Sequence, residues 1–320
     1  MNIDYLIPYF IPLGLAVVAL EVIISVKEKE DLYDLKDTFS SGVMGLGASV
    51  IGGVTKVALL ALFVFFFEAF RPLRVQYLGY DSFGWAWWVW VISMVCDDFT
   101  FYWHHRFNHS VRMFWAAHVV HHSSDRFHYG SALRNGWVVY FYKPFMWIWM
   151  PIIGFEPGMV LTGISLSAIY QFLLHCKKVP HLGVLERIFN TPQLHQLHHS
   201  RNIKFLDKNH GGILIIWDRL FGTYLDSRED DTQRIFGVLS PPNSYNPWII
   251  FSHEYQNIWK DARRAPSWKD KLRYFVYPPG WSHDNSKMTA KQMQRQLRLQ
   301  QQEAQPASQP QPVRAEGALR

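Results

Sequence analysis

The 320-residue sequence is short of cysteine and of charge. Its two thiols, Cys96 and Cys176, build no disulfide framework. Each closes an apolar run, which points to reduced packing residues. Charged residues make up 18%, against 49% apolar and 16% aromatic with 14 Trp, a balance that argues against a soluble protein. There is no Gly-x-Ser-x-Gly, which excludes the nucleophile elbow of a serine hydrolase. There is no Glu-x-x-His pair, and no cysteine lies beside the three histidine clusters described below, which argues against the carboxylate-rich soluble di-iron bundles and zinc ribbons. Gly45-Leu46-Gly47 opens like a dinucleotide fingerprint, but Val50 stands where the third glycine belongs, inside an apolar run rather than after a strand. No internal repeat is present. The net charge is +6, but residues 260–320 carry +7 and the rest of the chain −1. The excess therefore marks a tail, not a nucleic-acid groove. It suits either the anionic face of a membrane or a solvated basic helix.

What the chain does have is long apolar runs. Residues 6–26 are apolar except for Glu21, long enough at ~1.5 Å per residue to cross a bilayer core of ~30 Å. Lys27-Glu28-Lys29-Glu30 follows in place of a small-residue cleavage site, so a retained span is expected rather than a signal peptide. Residues 43–70 form a second run whose glycines suit close helix packing in lipid. Residues 83–96 form a third, rich in Trp85, Trp87, Trp88 and Trp90, and are expected to continue as one helix through Asp97 and Asp98. Residues 137–155 and 157–176, separated by Gly154-Phe155-Glu156-Pro157-Gly158, read as a hairpin. The expected fold is all-α: a polytopic membrane bundle of about 4–5 spans with a cytoplasmic helical cap. The divisions are membrane spans at 1–82, a catalytic domain at 83–225 containing hairpin 137–176, a cytoplasmic region at 226–300 and a disordered Gln/Pro-rich tail at 301–320. Lys and Arg favour one side of this map, and the positive-inside rule makes that side, which carries every histidine cluster, cytoplasmic.

Twelve of the fifteen histidines lie between His104 and His199. They fall in three clusters: His105-Arg-Phe-Asn-His109 with His104 adjacent, His118-Val-Val-His121-His122, and His195-Gln-Leu-His198-His199. Residues three and four apart share a helix face, so each cluster can aim two or three imidazoles at one point. One lone histidine is more often a core or surface residue, but three clusters of matched spacing are a site. Eight imidazoles exceed the needs of one tetrahedral zinc and suit two ions with positions left open. Imidazole alone does not choose between iron, copper and zinc.

Asp98-Phe-Thr-Phe-Tyr102-Trp103-His104-His105, the two His-x-x-His-His boxes, and the stretches 121–134, 169–175, 185–202 and 207–224 resemble the fatty acid hydroxylase/sterol desaturase superfamily, most closely its alkylglycerol monooxygenase-like members. The resemblance covers about residues 90 to 225. It implies a di-metal site, normally iron, on the cytoplasmic side of a helical membrane domain. The ligands it implies are His105, His109, His118, His121, His122, His195, His198 and His199, with His175 as a ninth from the helix before the third box. His128 and His210 stand where relatives commonly carry Asn and Tyr, and each is an added ligand, an outer donor or a neutral exchange. His104 has poorer register with His109 than His105 does. Asp98, two turns before His105, either accepts the outer N–H of a ligand histidine or ends the helix in an ion pair.

The resemblance implies reduction of both irons, oxygen binding and attack on an unactivated lipid C–H bond, giving hydroxylation or desaturation. It implies an external reductant, either a reduced pterin or a ferredoxin or cytochrome partner, because the chain has no flavin, haem or iron–sulfur motif. The expected setting is a bacterial inner membrane. A non-catalytic metal-binding membrane protein of the same fold is the rival reading.

Overall fold

The computed structural model describes residues 7–30, 32–228 and 232–304. Among them there is no sheet; two isolated β-bridges, Phe189 with Leu214 and Ser200 with Phe236, are the only extended pairings. Helix α1 (Ile7–Lys27) and helix α2 (Leu35–Leu73) follow the first two apolar runs. Asp34 caps α2, its carboxylate accepting from the Asp37 amide at 2.8 Å, so this helix begins eight residues before the apolar run does. At ~1.5 Å per residue α2 exceeds the ~30 Å of a bilayer core. Among the described residues, α2 with its continuation to Leu78 is the one helix long and apolar enough to cross a membrane. Val50, Val54, Val57 and Phe65 on it are more than half exposed, the surface expected of a helix facing lipid.

Helix α3 (Trp87–Ser110) is a single helix from the tryptophan run through Asp97 and Asp98 to His109. It carries chemistry at one end and packing at the other. Helices α4 (Arg112–His122) and α5 (Tyr129–Ala132) follow. The expected hairpin forms, with a break in its first arm: α6 (Val139–Trp147) and α7 (Trp149–Ile153) meet at Ile148, and Gly154 turns the chain at φ 112° into α8 (Pro157–Leu173). The core of this half joins Phe63, Val89, Phe101, Trp147, Met150, Phe155, Met159 and Val160, so the hairpin lies against α2 and α3. Buried Arg74 closes the far end by donating to the carbonyls of Phe67, Asp81 and Ile152.

Helix α9 (Pro192–His198) holds the third histidine box, with Thr191 capping it through the Leu194 amide. Helices α10 (Ile216–Phe221), α11 (Pro247–Arg264), α12 (Trp268–Val276) and α13 (Ala290–Ala304) complete the chain. Met44, Val120 and Ile250 join α2, α4 and α11 in a second core. Helix α13 runs to Ala304, into the segment expected to be disordered; residues 305–320 lie outside the described residues.

Candidate metal centre

The three boxes come together at one end of the bundle. α3 supplies His105 and His109, α4 supplies His118, His121 and His122, and α9 with its C-cap supplies His195, His198 and His199. His175, just past α8, joins them. Their ring nitrogens sort into two groups, each with all members within 4.8 Å of one another: His105, His109, His118, His122 and His198 in the first, and His121, His175, His195 and His199 in the second. In each His-x-x-His-His box the outer pair, four apart, serves one group and the middle histidine serves the other. A helix turns ~100° per residue, so residues four apart stay on one face while the residue between them is offset.

The nitrogens are spaced as ligands. His105 Nε2 and His118 Nε2 are 3.0 Å apart, His118 and His122 Nε2 3.2 Å, and His195 and His199 Nε2 3.1 Å. Adjacent ligands with metal–nitrogen bonds of ~2.1 Å sit ~3.0–3.4 Å apart around one ion. His109, His175 and His198 keep a buried Nε2 with no hydrogen-bond partner, an arrangement that is costly without a ligand. Burial pushes His121 and His198 down to about 4 and holds the other box histidines well below the usual range. The rings are therefore neutral and offer lone pairs at neutral pH. The residues fit two ions, with five nitrogens for one and four for the other.

The outer nitrogens are fixed mainly by backbone. His105 Nδ1 donates to the His210 carbonyl at 2.8 Å, His121 Nδ1 to that of Arg134 at 3.2 Å, His175 Nδ1 to that of Gln171 at 2.9 Å and His198 Nδ1 to that of Lys208 at 2.8 Å. His109 Nδ1 faces Asp207 Oδ1 at 3.4 Å. These bonds orient each ring and select the tautomer that leaves Nε2 free.

Asp98 reaches no histidine. Its carboxylate accepts from the Ile213 amide at 2.6 Å, the Leu214 amide at 3.0 Å and Trp217 Nε1 at 2.9 Å, so it clamps the 211–217 loop to α3 instead. His210 stands beside the first group, its ring 5.0 Å from that of His109, without joining the set of ligand nitrogens. His128 is fully buried against Tyr33, with ring centres 4.0 Å apart, and also lies outside both groups. His104 packs on Trp147 and bonds Asn108 at 3.2 Å. Arg134, fully buried nearby, is committed to Asp37 at 2.6 Å and to Ser41. The sequence reading missed Asp218, which is fully buried and accepts from the His210 and Gly211 amides and Thr223 Oγ1. Nothing in its local sequence marks it; its partners lie in the loops on both sides of α10.

Two cavities reach the histidines and share no lining residue. One, of about 390 Å³, touches His109, His122, His198 and His199 and is otherwise walled largely by the C-terminal region. The other, of about 400 Å³, touches His105, His118, His121, His175 and His195 and opens among α2, α6 and α8.

Known proteins resemble this chain in sequence. The chain is 32% identical over 266 residues to alkylglycerol monooxygenase of Xenopus tropicalis, covering 82% of this chain and 56% of that protein. The human alkylglycerol monooxygenase is 30% identical over 274 residues, covering 86% and 58%. An ornithine lipid hydroxylase of Rhizobium tropici is 31% identical over 135 residues, 42% of this chain and 41% of that protein. The chain thus spans little more than half the length of the alkylglycerol monooxygenases it matches. No solved structure matches. The fatty acid hydroxylase family model covers residues 90–223, from α3 to the loop after α10, and through this histidine-bearing region the chain belongs to the fatty acid hydroxylase family.

Proposed function

We propose that this chain is a membrane-bound, oxygen-dependent oxidoreductase that holds two iron ions and hydroxylates or desaturates a C–H bond of a lipid alkyl or acyl chain. The observation that carries the reading is the pair of neutral histidine groups beside a cavity opening among apolar helices. His105, His109, His118, His122 and His198 would hold one ion, and His121, His175, His195 and His199 the other. When bound, the iron pair supplies oxygen activation strong enough to attack an unactivated C–H bond.

The protein's own part is positioning. The carbonyls of His210, Arg134, Gln171 and Lys208 hold the ligand rings, and Asp98 and Asp218 hold the loop that presents the first of them. The cavity among α2, α6 and α8 would take the lipid from the bilayer side. The cavity under the C-terminal region would face water and admit the reductant, a reduced pterin or an electron-transfer protein. In this reading α1, α2, the first half of α3 and the α6–α8 hairpin are the spans, and the histidine end lies on the cytoplasmic side of a bacterial inner membrane.

Comparative lipidomics tests it. Membranes from cells expressing the wild type are compared with those expressing His121→Ala/His122→Ala. The expected result is a lipid heavier by one oxygen, or lighter by two hydrogens, only with the wild type. If both folded proteins, with iron and a reductant supplied, leave the lipids identical, the oxidase reading falls in favour of a non-catalytic metal-binding protein.

A further inference from the structure

The cavity among α2, α6 and α8 is not a plain hydrocarbon slot. Ser49, Asn108, Asn135, Tyr140 and Gln171 bring polar side chains to its wall, Lys143 brings a basic one, and no Asp or Glu lines it. Lys143 sits in the middle of α6, one turn before Trp147. Its ammonium lies 5.2 Å from the centre of the Trp147 ring and 5.8 Å from that of Phe101. Among the described residues no hydrogen bond or ion pair holds it. Asp97 is the carboxylate whose field reaches it, from beyond ion-pair distance. One oxygen of Asp97 accepts from Trp147 Nε1 at 2.6 Å, and the other is buried without a partner.

A cation among apolar helices is costly, and where one is kept it characteristically faces a cavity and meets a functional partner there. Two aromatic faces offset part of the cost, but they do not neutralise the charge. Asp97 is near but forms no ion pair with Lys143, which leaves the ammonium able to meet an anion arriving through the cavity.

We infer, resting on the reading that this cavity takes the lipid, that Lys143 binds the anionic oxygens of the lipid's polar end, a carboxylate or a phosphate, and so selects acidic lipids over neutral ones. A neutral glycerol ether or fatty alcohol would leave the ammonium unmatched. Lys143 shares the cavity wall with His105, His118 and His121. A lipid held there by its polar end presents carbons near that end to the metal centre, rather than the far tip of its chain.

The test is equilibrium binding to the full chain in detergent micelles. The probes are a fluorescent long-chain fatty acid, a lysophosphatidic acid and a monoacylglycerol carrying the same chain. The wild type is expected to bind one of the two acids at least about tenfold more tightly than the monoacylglycerol. Whichever acid binds more tightly identifies carboxylate or phosphate as the group read. Lys143→Met is expected to abolish that preference while leaving monoacylglycerol binding unchanged, and Lys143→Arg to keep it. Lys143→Gln is the substitute should the methionine variant misfold. Equal binding of all three probes by the wild type overturns the inference. So does a Lys143→Met protein that loses all three equally, because Lys143 would then be supporting Asp97 and Trp147 rather than reading a ligand. If the preference is found but no lipid is ever oxidised, the oxidase reading fails and the binding assignment stands.

Discussion

At the scale of single residues, the two groups of histidines are built by a crossover. The outer pair of the second box, His118 and His122, lies with His105 and His109, while its middle residue, His121, faces His175. The third box reverses the roles: His195 and His199 join His121, and His198 crosses to the first group. Each group therefore depends on both boxes, but His175 belongs to one group alone. Replacing it should leave the five-nitrogen group intact. His175→Ala protein is expected to retain about one iron per chain where the wild type retains about two, as neutral imidazoles are the ligands such an ion uses. Elemental analysis of the purified proteins checks this, and loss of both ions from His175→Ala would mean that the two groups are a single cooperative unit. The eight box histidines were legible in the sequence, because three- and four-residue spacing declares shared helix faces, whereas His175 was expected only from the family resemblance. The crossover was not legible, because it depends on the angle at which α4 and α9 meet. The roles of Asp98 and His128 were not legible either: Asp98 takes partners 115 to 119 residues away, and His128 packs against a tilted ring from the α1–α2 connection.

At the scale of elements, the histidine end is held in place by buried ion pairs as much as by apolar packing. Arg112, at the start of α4, pairs with Glu254 and with Asp261 on α11, both at 2.8 Å, with its side chain only 5% exposed. Lys287 meets Asp261 from the far side at 2.8 Å. Arg112 thus ties the helix that presents His118, His121 and His122 to the C-terminal region. Arg112→Met would leave buried Glu254 without a cation, Asp261 keeping only Lys287, and should cost about 3–5 kcal/mol of stability. Arg71→Met is the control. Arg71 also has two acidic partners, Glu68 and Asp81, but its side chain is 52% exposed, so the change should stay within ~1 kcal/mol. Thermal denaturation of the detergent-solubilised proteins compares them, and equal losses would mean that α11 does not hold α4. The apolar runs made α1, α2, α3 and the helices of the α6–α8 region legible, including the passage of α3 through Asp97 and Asp98. They did not show that α2 would start at a capped Asp34 or that the first arm of the hairpin would break at Ile148. Those features depend on a capping side chain and on packing against α2, neither of which alters an apolar count.

At the scale of the whole molecule, gathering this many neutral histidines makes the fold sensitive to acid in a defined direction. The unfolded chain carries histidines that titrate near ~6.5. In the folded chain burial holds His121 and His198 down to about 4, and the other box histidines outside the spans are also depressed. Between those limits the unfolded state binds more protons than the folded one, so stability falls as pH falls. The contribution is fully present above ~6.5 and is lost progressively toward about 4, the value reached by His121 and His198. Bound metal should sharpen the effect, because protons and ions compete for the same nitrogens. The expectation is a melting temperature that is flat above neutrality and drops steeply below ~6.5, with metal released over the same interval. The onset distinguishes this from carboxylate-driven acid unfolding, which has the same sign but begins nearer the ~4 of Asp and Glu. Chelator-stripped protein separates the two contributions. If its melting temperature stays level from neutrality down to pH ~5, the histidines are not buried as neutral rings in the absence of metal, and the ions rather than the fold bring the two groups together.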